Sequence, residues 1–436
     1  MIQPDTDRIV VGLDIGTTKV CAVVGRYNEF GKVNILGIGK ADCDGVSRGE
    51  VINVNRTAEA IRRAVTEAED RSHVQIRSAF VGIAGQHIKS STEKSIITLS
   101  GPNQQIKQSD VDRLSDEMYK LSIGPGQQII HALPQEYKVD SHSDVKDPIG
   151  MSGVRLECNY HVVTALTSSI KNIYNCVRSA DLDVCDIVLQ PLASSYSVLT
   201  EEEMEAGVCL VDIGGGTTDL AIFSNNIARH TSVIPLGGNI ITQDIQRGCS
   251  IMQKQAELLK TRYGSAFALE GMEDELITIS GLKDRAAKEI RQYTLAKIIE
   301  ARVEELAEFV LKEIYYSGYY KNLVGGIVLT GGGAQLTRIQ ELFAYVTGMD
   351  THIGYPIVHL AQGMVEEVNN PSCATATGLV MYGLKHGIRR RPLVMETDFS
   401  QPKATFASGE PQQRSTVTQK VRSFFESMIN TANTID

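Results

Sequence analysis

The chain has 436 residues, 43 Lys and Arg against 52 Asp and Glu, a net charge of −9, eight Cys and no Trp. That length suffices for roughly two to four compact units, and the acidic balance argues against nucleic acid as the main partner, since phosphate-backbone binders concentrate basic side chains on one face. The first residues lack a basic and apolar secretion signal, no apolar run reaches the ~18 residues of a membrane span, and the scattered cysteines, with no C-x-x-C pair, are expected to be reduced, mostly buried thiols of a cytoplasmic body.

The first predicted strand runs into Asp14, turns through Gly16-Thr17-Thr18-Lys19 and returns from Val20 to Val24. Glycine there lets backbone N–H groups approach phosphate oxygens, Thr hydroxyls add donors, and Asp offers a hard oxygen ligand to a hydrated Mg²⁺. A strand is predicted over 33–39, a helix with one apolar face over 57–68 and a short buried strand over 79–84, an alternating α/β layering. From about Gln86 to Leu166 the character changes to a polar strand pair, a helix around 109–121 and a Pro/Gly-punctuated stretch from Ile123 to Arg155, which reads as an inserted subdomain. His131 and His142 lie near Glu136 and Asp144 without metal-site spacing and are read as surface or structural.

The α/β pattern resumes with a helix over 169–180 and a strand over 185–189 that enters Gln190-Pro191-Leu192-Ala193-Ser194-Ser195, small residues suited to close packing at a hinge. The phosphate motif then recurs as Leu210-Val211-Asp212-Ile213-Gly214-Gly215-Gly216-Thr217-Thr218-Asp219, followed by a strand over 220–223. Two such tips face to face would clamp a nucleoside triphosphate. A second insertion, about 238–298, is rich in helix formers and carries Glu257 and Lys260 in an E-x-x-K pattern that also suits a solvated helix pair. A long helix is predicted over 295–314. A third glycine cluster, Gly326 to Gln335, is a buried strand entering a turn where backbone can lie flat against a nucleotide, and Cys373 to Leu379 mirrors the earlier small-residue segment. One such turn is common in ordinary hairpins; the ordered set is far more specific.

Beyond Ile388, a polar stretch with Pro402, Gly409 and Pro411 reads as a linker following Arg389-Arg390-Arg391. Val417, Val421, Phe424, Phe425, Met428 and Ile429 then fall within roughly 140° of a helical wheel, with Thr416 and Gln419 as a capping box and Lys420 and Arg422 beside the apolar arc. Such a stripe fits docking on a protein core or on a lipid surface; its place behind a linker and its paired Phe residues favour an in-plane membrane helix.

In order and across nearly the whole body, the glycine clusters and small-residue segments resemble the five nucleotide motifs of the actin and Hsp70 ATPase superfamily. A finer resemblance, to the FtsA family of bacterial cell-division proteins, rests on His131-Ala132-Leu133-Pro134-Gln135-Glu136-Tyr137, on Pro148 to Arg155, on Leu192 to Ser195 and on the terminal stripe. It implies an α/β, two-lobed actin-like fold of duplicated RNase H-like domains: subdomain 1A over 1–85, 166–200 and 363–390, 1C over 86–165, 2A over 201–237 and 299–362, and 2B over 238–298, before a linker over 391–415 and a membrane-targeting helix over 416–430.

The same resemblance implies ATP and Mg²⁺ in the central cleft. Gly16, Thr17, Thr18 and Lys19 would face Gly214, Gly215, Gly216 and Thr217 across the phosphates, with Asp14 and Asp212 orienting the metal's waters. Gln190 falls where relatives place a residue that orients the attacking water, a position equally open to a capping amide. Glu257 and Lys260 would contact ribose and adenine, and Gly332, Gly333 and Ala334 would pack on the adenosine side. Further implications are self-assembly into filaments on the cytoplasmic face of the inner membrane at the septum, contact with downstream division proteins, and capture of the FtsZ C-terminal peptide by residues 295–305, where Arg302 suits an acidic partner. A sugar kinase of the same superfamily is the alternative, but nothing in the chain singles out a second substrate pocket with an Asp base.

Overall fold

The computed structural model describes residues 6, 8–99, 105–269, 275–280, 287–361 and 364–387. β1 (Ile9–Ile15), β2 (Lys19–Tyr27) and β3 (Val33–Asp42) form an antiparallel meander in which every residue of β1 after Ile9 is buried. A small hairpin, β4 (Val46–Ser47) and β5 (Glu50–Val51), leads to α1 (Val54–Ser72). The Asn53 side chain accepts the Arg56 N–H to start α1, left-handed His73 ends it, and Ala60, Ile61, Ala64 and Ala68 supply the buried face. β6 (Ser78–Ile83) then pairs parallel to β1.

β7 (Lys89–Thr98), α2 (Gln108–Tyr119), β8 (Gln127–Val139), β9 (His142–Val145) and β10 (Arg155–Leu166) build a separate sheet ordered β7-β10-β8-β9, with Ile97, Leu114, Met118, Tyr160 and Val162 in its core. Here the sequence reading of a punctuated stretch fails, because β8 runs 13 residues straight through Pro134. Tyr160 pairs with Pro134 and Cys158 with Tyr137, so the ladder breaks at Gln135 and Glu136. A bulge tolerates the missing proline donor and redirects the side chains beside it.

The chain re-enters the first sheet through α3 (Thr167–Ser179) and β11 (Asp183–Leu189), parallel to β6, and then forms α4 (Gln190–Val198). After α5 (Glu201–Ala206), capped by Thr200, the plan repeats. β12 (Val208–Ile213), β13 (Thr218–Ser224) and β14 (Ile227–Ile234) make a second antiparallel meander. α6 (Gly238–Cys249), α7 (Gln253–Tyr263), the hairpin of β15 (Leu276–Ile279) and β16 (Lys288–Arg291), and α8 (Gln292–Ser317) follow. α8 is unbroken through residue 298, where the sequence reading ended the second insertion, because Leu295, Ile299, Val303, Leu306 and Val310 form one stripe buried in the second core.

β17 (Ile327–Thr330), α9 (Ile339–Thr347) and β18 (Thr351–Ile353) complete the second sheet, and α10 (Val365–Val368) and α11 (Ala374–His386) close the described body. Read from the meander edge, β3-β2-β1-β6-β11 and β14-β13-β12-β17-β18 have the same order and the same change from antiparallel to parallel. The fold is therefore duplicated. The two small-residue segments meet as α4 and α11, so close that a Cβ on Gly378 would lie 1.8 Å from the Ala193 carbonyl oxygen.

Candidate functional site

Each meander opens on the same turn: Gly16 N–H donates to the Lys19 carbonyl at 2.9 Å, and Gly214 N–H to the Thr217 carbonyl at 2.9 Å. The two turns meet tip to tip, since a Cβ on Gly215 would fall 2.6 Å from Thr18 Cγ2 and one on Gly216 2.7 Å from Thr17 Oγ1. Gly16, Thr17, Thr18, Lys19, Gly214, Gly215, Gly216 and Thr217 all line the cleft between the sheets, as do Asp14, Asp212, Gln190 and Gly332. Among the described residues Lys19 is the one basic side chain lining it, and its ammonium donates across the cleft to the Ser372 carbonyl.

Behind the turns sit three buried carboxylates. Burial pushes the Asp14 carboxyl up to about 7, opposed by the Lys19 ammonium, and Gln190 Nε2 donates to its Oδ1 at 2.9 Å. Burial also raises Asp212, but Ser194 Oγ and Thr375 Oγ1 donate to its Oδ2 at 2.8 and 3.2 Å and favour the charged form. Asp219, opposite Asp212 in the β12–β13 register, is pushed up to about 8 by burial and then by the Asp212 charge. Thr217 Oγ1 donates to its Oδ2 at 2.9 Å, while its buried Oδ1 has no partner.

A pH dependence follows. Between the ordinary carboxylate range and about 8, folded Asp219 holds a proton that the unfolded chain has released, so stability falls as pH rises through that window and levels off above it. In Mg²⁺-free buffer the thermal midpoint of wild type should drop more between about pH 6 and 9 than that of Asp219→Asn. Parallel slopes would contradict the assignment.

Other residues singled out in the sequence stand back from the cleft. Gly333 and Ala334 are not among the residues lining it: a Cβ on Gly333 would meet Ile213 Cγ2 at 2.4 Å, and Ala334 is buried. Glu257 and Lys260 also lie outside the lining; Lys260 Nζ is 2.8 Å from Glu257 Oε2 and donates to Thr242 Oγ1 and, at 3.0 Å, to the Gly238 carbonyl. That network secures the start of α6, whose Gly238 and Asn239 N–H groups donate to the Gly214 and Gly215 carbonyls at 2.9 and 2.8 Å, so the pair supports the second turn from behind. Arg302 pairs with Asp244 at 2.6 Å and with Glu305. Val417, Val421, Phe424, Phe425, Met428 and Ile429 lie outside the described residues.

The inserted sheet reaches both halves. Leu189 N–H, next to Gln190, donates to buried His131 Nε2 at 3.0 Å. Four residues on, the β8 bulge turns Gln135 and Glu136 onto β14: Gln135 Nε2 donates to the Ala228 carbonyl at 2.7 Å, and the nearly buried Arg229 guanidinium pairs with Glu136. His131 thus has a structural role, and Ser194, Thr375, Ser372 and Asp219 join the site although the sequence reading gave them none. The available signals were the pair of small-residue segments that carries Ser194 and Thr375, and the place of Asp219 at the end of the second phosphate motif.

Residues 209–378 match the family model described as "Cell division protein FtsA", and residues 85–164 match that of the "SHS2 domain inserted in FTSA". The cell division protein FtsA of Pseudomonas aeruginosa is 41% identical over 385 residues, covering 88% of this chain and 91% of that protein. FtsA of Escherichia coli K12 is 35% identical over 390 residues, covering 88% and 92%. Among solved structures, the PilM-PilN type IV pilus biogenesis complex matches with a TM-score of 0.64 at 16% identity, covering 86% of this chain and 98% of that one. MreB5 of Spiroplasma citri bound to ADP matches at 0.52 and 14% identity, covering 87% and 97%. These likenesses show an actin-like fold.

Proposed function

The chain belongs to the FtsA family of cell division proteins, and from that premise we propose that it binds Mg²⁺-ATP between its two sheets, assembles with copies of itself on the inner face of the cell membrane, and tethers FtsZ there. The observation that carries the nucleotide reading is the duplicated turn, closed twice by the same 2.9 Å hydrogen bond with a buried Asp behind each copy. The donor set suits both ligands. Glycine N–H groups and Thr hydroxyls fit phosphate oxygens, and Asp14 and Asp212 are hard oxygen groups that would hold the waters of Mg²⁺. The Asp212 charge that helps raise Asp219, whose buried Oδ1 has no partner, marks negative potential that a divalent cation would relieve. Bound Mg²⁺ supplies charge neutralisation of the phosphates.

Gln190 orients water and does not take its proton, because an amide has no basic site near neutral pH. Glu257 and Lys260 set the start of α6 on the ribose side, and Gly332 offers flat backbone to the adenosine, with Gly333 and Ala334 behind it. The scaffold role rests on Arg302 of α8 and on the tail helix.

The test uses the intact chain, anionic vesicles, Mg²⁺-ATP and a labelled acidic C-terminal peptide of FtsZ. The chain should carry the peptide into the vesicle pellet, and Arg302→Glu should weaken capture at least about 10-fold. Because Arg302 already holds Asp244 and Glu305, Arg302→Ala separates loss of the guanidinium from repulsion by a new carboxylate. Wild-type capture by both variants, still folded, would exclude α8 as the docking site.

A further inference from the structure

Both phosphate turns touch a third segment, the tip of the β4–β5 hairpin. Arg48 and Gly49 form that tip with φ of 49° and 78°. On one side Gly49 N–H donates to Thr17 Oγ1 at 3.3 Å, and Gly49 lines the cleft. On the other, a Cβ on Gly216 would fall 2.8 Å from Arg48 Cα and 2.9 Å from its N. The strand just after the tip is tied down, with Glu50 Oε1 3.1 Å from Nδ1 of the buried His87. Left-handed backbone is unfavourable for a residue with a Cβ, yet the residue wedged between the two turns is an arginine.

Its guanidinium is uncommitted. Arg48 is exposed and has no hydrogen bond or ion pair among the described residues, whereas Arg56, Arg71, Arg155, Arg229, Arg302 and Arg338 each hold a carboxylate. The cleft is short of positive charge, with Lys19 facing Asp14, Asp212 and Asp219. A triphosphate brings more negative charge to such a site than a diphosphate, concentrated on its terminal group.

We propose that Arg48 is a terminal-phosphate contact, swung from the hairpin tip onto the ligand, by which the cleft distinguishes nucleoside triphosphate from diphosphate. The inference rests on the nucleotide reading above. A planar guanidinium gives two parallel donors to phosphate, which a lysine ammonium in the same place does not.

The experiment is calorimetric titration of Mg²⁺-ATP and Mg²⁺-ADP into the full chain as wild type, Arg48→Ala and Arg48→Lys, with melting curves to confirm the fold. Arg48→Ala should weaken ATP about 10-fold or more while ADP stays within about 2-fold, and Arg48→Lys should keep part of the preference. Equal losses for both nucleotides, or no loss for either, would overturn the assignment and leave Arg48 a solvated surface residue. Wild type that binds neither nucleotide would overturn the cleft reading itself, and the Arg48 contact with it.

Discussion

Gly378→Ala is expected to cost the folded body about 3 kcal/mol or more, the largest stability loss from a single added methyl group considered for this chain. The added Cβ would lie 1.8 Å from the carbonyl oxygen and 2.5 Å from the carbonyl carbon of Ala193, both backbone atoms that cannot rotate away. α4 and α11 must then separate, although most of both helices is buried. Separation also dismantles the grip on Asp212, because Ser194 comes from α4 and Thr375 from α11, and their hydroxyls lie 3.0 Å apart. Gly124→Ala is the control: its nearest atoms, in the Gln127 side chain, are 3.9 Å away, and it should change stability by no more than about 0.5 kcal/mol. Urea unfolding of the two variants checks this, and wild-type stability in Gly378→Ala would refute the close-packed hinge.

Truncation after Ser415 is expected to abolish vesicle co-sedimentation completely, as is Phe424→Glu combined with Phe425→Glu. Burying each Phe and the larger aliphatic side chains of the arc is worth roughly 1.5–3 kcal/mol when complete, reduced by incomplete insertion and by ordering the tail. The expected net is reversible, micromolar-class binding, which filaments, if they form, should strengthen by presenting many tails to one surface. Lys420 and Arg422 are expected to add attraction to anionic lipid. The melting temperature of the truncated chain should match wild type. A fall of many degrees, with vesicle binding intact, would instead place residues 416–430 on the protein core.

The duplicated architecture was legible because its signal is local. An apolar strand, Asp, a glycine and hydroxyl turn and a second strand occupy consecutive residues, and both copies fold as that spacing predicts. What was not legible depends on residues distant in sequence. Ser194 and Thr375 meet on Asp212 from positions 181 residues apart, and Lys19 reaches a carbonyl 353 residues away. β8 lies in the stretch read as punctuated by Pro and Gly; the bulge beside Pro134 lets the strand run through it. The segment from His131 to Glu136 stood out chiefly as a family marker, and its physical content, a hydrogen bond to the strand end before Gln190 and a hydrogen bond and an ion pair to β14, emerged from packing. The resemblance assigned Glu257 and Lys260 to ribose and adenine; their contacts with Thr242 and the Gly238 carbonyl depend on the packing of α7 on α6, which the E-x-x-K spacing does not carry.

The most direct test of a nucleotide clamped between the two turns is titration of Mg²⁺-ATP into wild type and Gly215→Val, with denaturant curves confirming that the variant is folded. A Cβ at Gly215 already overlaps Thr18 Cγ2 at 2.6 Å, so valine forces the tips apart and blocks backbone approach to phosphate. Wild type should bind saturably and Gly215→Val at least about 100-fold more weakly; equal affinity in a folded variant would contradict the clamp.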